Sequence, residues 1–200
     1  MVRLQKSEIM KSKSPAQSNI HKDARIGKFS IIDKDVIIED DVEIGNYCQI
    51  KSGSVIKKGS IIKNNVTIGY KNIIHANCHI DSYCSIMDNN IFHSATKIGS
   101  HTIIGNNVTL KSFNNIGVYC ILRDDVVVGE SCKLTAYCEL RNKVILGDNT
   151  SFGSRCTISA NAVIGSNVTI KYGFVLTDTP NLLNGEHKEV DGIQDGTFIG

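Results

Sequence analysis

Proline is almost missing from this chain of 200 residues: Pro15 stands near one end and Pro180 near the other. Everything between them lacks the one residue that cannot donate a backbone hydrogen bond to a β ladder. Also missing is any run approaching the ~20 apolar residues of a membrane span. Met1–Ser18 is polar and has no apolar signal core, so no secretion is expected. A large excess of either charge is missing too. The formal net charge is +2, and Arg3, Lys6, Lys11 and Lys13 against Glu8 place an excess of +3 ahead of Ser18. The remainder is close to neutral, a poor match for nucleic acid, where phosphate attraction supplies most of the affinity.

What is present is a period. From Ile26 to Leu176 every sixth residue is a large apolar one, and Ile20 extends the series one step back. Six residues along an α-helix turn a side chain by roughly 240°, which would scatter the apolar groups around the axis. Six along a strand is an even number, so all of them share one face. A fixed period this short specifies an all-β solenoid, a parallel β-helix. A hexad is one short strand plus a corner, and three hexads close one triangular coil. The series predicts between eight and nine coils, a prism on the order of 40 Å long at about 4.8 Å per coil.

Seven cysteines suggest a metal or disulfide framework until they are placed on the hexad. Cys48, Cys78, Cys84, Cys120, Cys132, Cys138 and Cys156 all fall two residues before the apolar one, a position shared with Ser30, Val36, Ser54, Thr102 and Ala162. This reads as a second inward position that takes compact side chains, cysteine serving as a small hydrophobe. Cys120, Cys138 and Cys156 would stack about 4.8 Å apart. Such usage suits a reducing compartment, and a cytoplasmic location is expected. Glycine follows the apolar residue at Gly27, Gly45, Gly69, Gly99, Gly117 and elsewhere. Asn and Asp crowd the next positions, as in Asn64-Asn65, Asn106-Asn107 and Asp148-Asn149. Both are expected to serve the unusual dihedrals of the corners.

The phase fails at Thr177, and residues 177–197 are polar and rich in turn formers; Ile199-Gly200 then resembles the start of a new hexad. The chain divides accordingly: a flexible or short helical lead-in over 1–18, a β-helix domain over 19–176, and a loop over 177–200 that begins a further repeat block. Either the loop caps the prism or the chain is part of a longer protein, and the second is expected because an open β edge is normally covered.

The repeat [Ile/Leu/Val]-Gly-x-x-[small]-x resembles that of the hexapeptide-repeat acyltransferases, over about residues 20–178. It looks most like the sugar and sugar-nucleotide acetyltransferases of polysaccharide biosynthesis, whose repeats run into a Gly-x-Val-x-Thr-Asn-Asp loop followed by Pro. Here that stretch is Gly173-Phe174-Val175-Leu176-Thr177-Asp178-Thr179-Pro180, with Asp178 in place of the Asn. The resemblance implies a left-handed β-helix and a homotrimer with active sites in grooves between prisms. It implies acetyl-CoA as co-substrate, a sugar or sugar-nucleotide acceptor, and no metal. A base, often His, would deprotonate the acceptor while backbone N–H groups stabilise the oxyanion. The same fold in a carbonic-anhydrase-like form would need three His ligands. His75, His79 and His93 come nearest, at a spacing that does not match. A non-catalytic scaffold is the remaining alternative.

Position on the hexad ranks the candidates. His101 belongs to an outward column with Tyr47, Asn65, Tyr83, Tyr119, Tyr137 and Arg155, either a stacked ladder at a protomer interface or a groove wall with His101 as base. His75 and His93 stack between Lys57 and Lys111, a solvated face or a contact for CoA phosphates. Arg123, Arg141, Ser159 and Thr177 form an outward column for substrate. Two stacked arginines repel unless an anion lies beside them, whether a diphosphate or a neighbouring Asp124, Asp125 or Glu139. Asp178 is a candidate to orient the acceptor or to cap the loop. Lys171 and Tyr172 are candidate acetyl-CoA contacts, and His187 is a weaker candidate base.

Overall fold

The protein is described from a computed structural model over residues 18–176 and 198–199. Within them the chain is a parallel β-helix made of two-residue strands and no helix. The strands form three sheets, one per face of the prism. The first face stacks Asn19–Ile20, Ile37–Ile38, Val55–Ile56 and so on to Val163–Ile164. The second runs from Arg25–Ile26 to Thr169–Ile170. The third runs from Ile31–Ile32 to Thr157–Ile158. Every pairing is parallel and joins a strand to its equivalent one full coil on, as Ile73 opposite Ile91 and Ile80 opposite Ile98. One pairing departs from this: Phe198–Ile199 joins the second face in parallel with Thr169–Ile170, with Ile199 opposite Ile170.

The apolar series lines the axis. Every sixth residue from Ile38 to Ile170 is buried, and Phe92 and Phe152 are the largest side chains fully enclosed. At about 1.5–3 kcal/mol for each buried aliphatic side chain, this column is the main source of cohesion. The first coil is the exception, with Ile20 and Ile26 38% and 37% exposed.

The second inward position is more than a place for small groups. All seven cysteines are buried and free. Each Sγ donates to a corner carbonyl of the next coil: Cys48 to Lys63 O at 2.9 Å, Cys120 to Thr135 O at 3.0 Å, Cys132 to Gly147 O at 3.1 Å. Ser54, Thr102 and Asn114 make the same bond to Gly69, Gly117 and Gly129. Apart from Phe174 in the last coil, the position therefore takes a short donor wherever it is not filled by Val or Ala, because a corner carbonyl turned toward the axis has no strand partner.

The corners correct the reading of glycine. The left-handed backbone falls three residues after the apolar one, at every sixth residue from Phe29 to Gly173, and only Gly53, Gly59 and Gly173 among these are glycine. The glycines directly after the apolar residue owe their place to close approach. A Cβ on Gly27 would stand 2.4 Å from the Gly45 carbonyl carbon, and one on Gly117 2.3 Å from Thr135 O. The Asn/Asp pairs divide the work. The first member accepts the corner N–H of the coil below, as Asn64 Oδ1 from Asn46 N at 2.8 Å and Asp124 Oδ1 from Asn106 N at 2.7 Å. The second, such as Asn65, Asn107 or Asn149, takes φ of 56–58°, which Asn tolerates better than most residues.

Candidate active site on the third face

Three corners run along the prism. The first joins the first and second faces, the next joins the second and third, and the last joins the third back to the first. His101 is exposed on the second corner, stacked between Tyr83 at 5.0 Å and Tyr119 at 4.7 Å. The stack continues from Tyr119 to Tyr137 at 5.0 Å, and Arg155 lies over both Tyr137 and Tyr172, at 5.9 and 5.8 Å. Further down, Phe29 stacks on Tyr47 at 5.1 Å. Bulky rings at a φ near 60° are uncommon, at a cost of roughly 1–2 kcal/mol each. Offset stacking worth about 0.5–1.5 kcal/mol per pair offsets much of it.

Lys171 and Tyr172 share this corner with His101, about four coils along, on the order of 19 Å at the strand spacing. Arg123 and Arg141 lie on the third corner. The two corners bound the third face, whose outer surface carries Ile103, Ile121, Glu139 and Thr157. The fold thus gathers the candidates into two rails with a face of roughly 10 Å between them, rather than into one cluster. Arg123 Nε donates to Glu139 Oε1 at 3.0 Å, so the anion that tempers the arginine column is a carboxylate of the face itself. Asp124 is committed elsewhere, accepting from both the backbone and side-chain amides of Asn106.

One expectation is corrected. Ser159 is only 4% exposed and does not present its side chain outward with the arginines. It occupies the hexad position held at the same corner by Gly69 and Gly105. Thr177, Asp178 and His187 lie outside the described residues.

On the first corner His75 and His93 stack at 4.9 Å, with Lys57 Nζ 3.4 Å from His75 Nδ1. Burial, then the charges of Lys57 and His93, lower the pKa of His75; Glu39 opposes them weakly. His79 lies on a strand of the second face and does not join the pair. Among the described residues no group of three or more His, Cys, Asp or Glu is placed to hold a metal ion, and no helix is long and apolar enough to cross a membrane.

Burial leaves Cys78 and Cys84 unsuited to nucleophilic work. Burial pushes Cys78 and Cys84 up to about 11. In the stacked trio, Cys138 is raised by its bond to Cys120 and by burial.

Repeat and fold together define a hexapeptide-repeat protein: the bacterial transferase hexapeptide (six repeats) matches residues 23–58. A second family model, described as the GMPPB C-terminal domain, matches residues 86–192, more than half the chain, and the chain belongs to that family. No curated protein sequence matches it. Among solved structures it is similar to UDP-N-acetylglucosamine O-acyltransferase (LpxA) from Moraxella catarrhalis. That match has 22% identity and a TM-score of 0.57, covering 76% of this chain and 66% of that one. It is also similar to LpxA from Bacteroides fragilis, with 24% identity, a TM-score of 0.40, and 83% and 67% coverage. A third is perosamine N-acetyltransferase from Caulobacter crescentus, in complex with CoA and GDP-perosamine, with 18% identity, a TM-score of 0.32, and 78% and 53% coverage. The chain thus spans about two thirds or less of the length of these structures. The first of them shares its β-helical fold.

Proposed function

We propose that the protein transfers an acetyl group from acetyl-CoA to an amino or hydroxyl group of a sugar or sugar nucleotide, on the third face of the prism. The observation that carries this is the pair of rails. One bears an exposed imidazole with Lys171 and Tyr172 in line beyond it, and the other bears two guanidinium groups in one column. In this reading acetyl-CoA lies along the axis on the His101 corner, and Lys171 meets an anionic group of the donor. His101 accepts the proton of the acceptor hydroxyl or amine as it attacks the thioester carbonyl, and returns it to the departing thiolate. Arg123 and Arg141 hold an acceptor phosphate, Arg123 exchanging Glu139 for the ligand. In this reading Asp178 orients the acceptor amine or hydroxyl and Thr177 contributes to its binding.

Assembly is part of this reading. The outer surface of the first face carries Ile37, Val55, Ile73, Ile91, Thr109, Val127, Ile145 and Val163 in unbroken succession, with Ile37, Ile145 and Val163 40–48% exposed. A stripe over eight coils that is apolar everywhere but at Thr109 is the kind of surface that subunits cover. Packing a homotrimer on it would set the arginine corner at the rim of each interface, so the third face opens beside a neighbouring prism. Family membership in the hexapeptide-repeat proteins supports this arrangement.

The test is calorimetric titration of acetyl-CoA into the chain, with mass by light scattering, followed by acetyl transfer to UDP- and GDP-linked amino sugars. The reading expects micromolar binding to a trimer, lost activity in His101→Ala, and weakened acceptor binding in Arg141→Ala. A trimer indifferent to acetyl-CoA would refute it and favour a non-catalytic solenoid.

A further inference from the structure

The aromatic ladder on the second corner has one break. At this corner each coil places a side chain at the left-handed position: Phe29, Tyr47, Asn65, Tyr83, His101, Tyr119, Tyr137, Arg155. Neighbouring rings stand 4.7–5.1 Å apart with interplanar angles of 2–19°. Where the last ring gives way to Arg155, the guanidinium fills the space, lying between Tyr137 and Tyr172. At Asn65 no ring is present. Tyr47 is held in ladder orientation by Phe29 below it, and Tyr83 by His101 above it. Two coils separate them, roughly 9.6 Å at the strand spacing. The Asn side chain reaches only about half as far from the backbone as a tyrosine ring. The outer halves of Tyr47 and Tyr83, residues 60% and 57% exposed, therefore face each other across a slot one ring thick.

We propose that this slot binds a planar heteroaromatic ring, and specifically an adenine nucleotide, by intercalation between Tyr47 and Tyr83. A ring midway sits about 4.8 Å from each neighbour, within the range at which offset stacks are favourable. The floor of the slot is the Asn65 amide, which carries a donor and an acceptor in one plane. That pairing is bidentate with the amino group and ring nitrogen of adenine. Lys63, exposed on the same corner in the same coil, supplies a cation for the phosphate. Stacking of a base on aromatic side chains is worth about 1–3 kcal/mol per base, and here both faces of the base are covered. The site lies toward the N-terminal side of His101 and stands whether or not acyl transfer occurs on the third face.

The substitution that tests it is Asn65→Tyr. Tyr47, Tyr83, Tyr119 and Tyr137 already occupy this backbone geometry with φ of 56–63°, so the variant should fold, with a melting temperature equal to or above that of the parent. Its new ring fills the slot. Titration of AMP followed by saturation-transfer NMR should show binding to the parent chain, at least tenfold weaker binding to Asn65→Tyr, and none of ribose 5-phosphate. If Asn65→Tyr does not fold, Tyr47→Ala serves instead. Ala95 shows alanine at the equivalent hexad position with φ 59°, and AMP binding should again weaken at least tenfold. The proposal is overturned if AMP fails to bind the parent, if ribose 5-phosphate binds as well as AMP, or if binding survives in the folded variant.

Discussion

A single methyl group distinguishes two kinds of glycine in this chain. Gly117 is glycine because the next coil's backbone touches it, and Gly53 because of its φ of 77°. Gly117→Ala should cost about 1–3 kcal/mol, the usual range for overpacking against atoms that cannot retreat. Gly53→Asn meets only the flexible Lys71 side chain and takes a conformation Asn already holds elsewhere, so it should lie within about 0.5 kcal/mol of the parent; urea melts of the two variants check this. The thiols give a second residue-scale expectation. With Cys78 and Cys84 held near 11 by burial, a thiol reagent at pH 8 should label them only as fast as the chain opens, and readily after denaturation. For His75 the folded pKa is depressed while the unfolded chain protonates near 6.5. Its contribution is therefore complete above pH 6.5 and lost as pH falls from there through the folded value. His75→Gln should flatten the decline in stability over that window, measured by denaturant titration at successive pH values. Sequence reading placed the cysteines correctly as inward and compact but missed their donor role. Size can be read from a residue type, whereas the accepting carbonyl belongs to the next coil and becomes a neighbour only once that coil closes.

At the scale of the coil, the corner on the Met87 side is pinned by an asparagine ladder. Asn72 Oδ1 accepts from Asn90 N at 2.9 Å, Asn90 Oδ1 accepts from Val108 N at 2.7 Å, and Met87 O receives both side-chain amides. Asn90→Asp keeps the shape but removes the donor to Met87 O and buries a charge in a fully enclosed position. It should destabilise by about 3 kcal/mol or more, whereas Asn90→Val, as at Val36 and Val108, should cost clearly less; thermal melts compare them. The hexad period was sufficient to assign faces, corners and the inward column, because it repeats without interruption. It was insufficient for the site. Ser159 looked outward by its place in a column of arginines, yet it shares its hexad position with glycines that lie under the next coil. At that position Arg123 and Arg141 are exposed and Ser159 is buried, a difference that hexad position alone does not carry.

On the scale of the molecule, the stack of coils makes stability close to a sum of coil and neighbour terms. The apolar stripe on the first face gives a direct test of assembly. If the proposed trimer packs on this stripe, Ile145→Glu with Val163→Glu should leave the β signature intact and reduce the mass seen by light scattering to that of a monomer, since both side chains are nearly half exposed in the single prism.

A chain whose inward residues recur every six positions has a problem of counting. Slipping by one hexad would still bury an isoleucine on an isoleucine, and the left-handed corners, which also recur every six, would not object. What does object are features that recur only once per full coil: the asparagine ladder on the third corner and, most extended of them, the aromatic ladder on the second. A slip of six would set Tyr83 beside residues of the first or third corner, break its contact with His101 and leave bulky rings strained without the stacking that offsets them. The ladder is thus a ruler built into the folded chain, marking which third of each turn belongs to which edge.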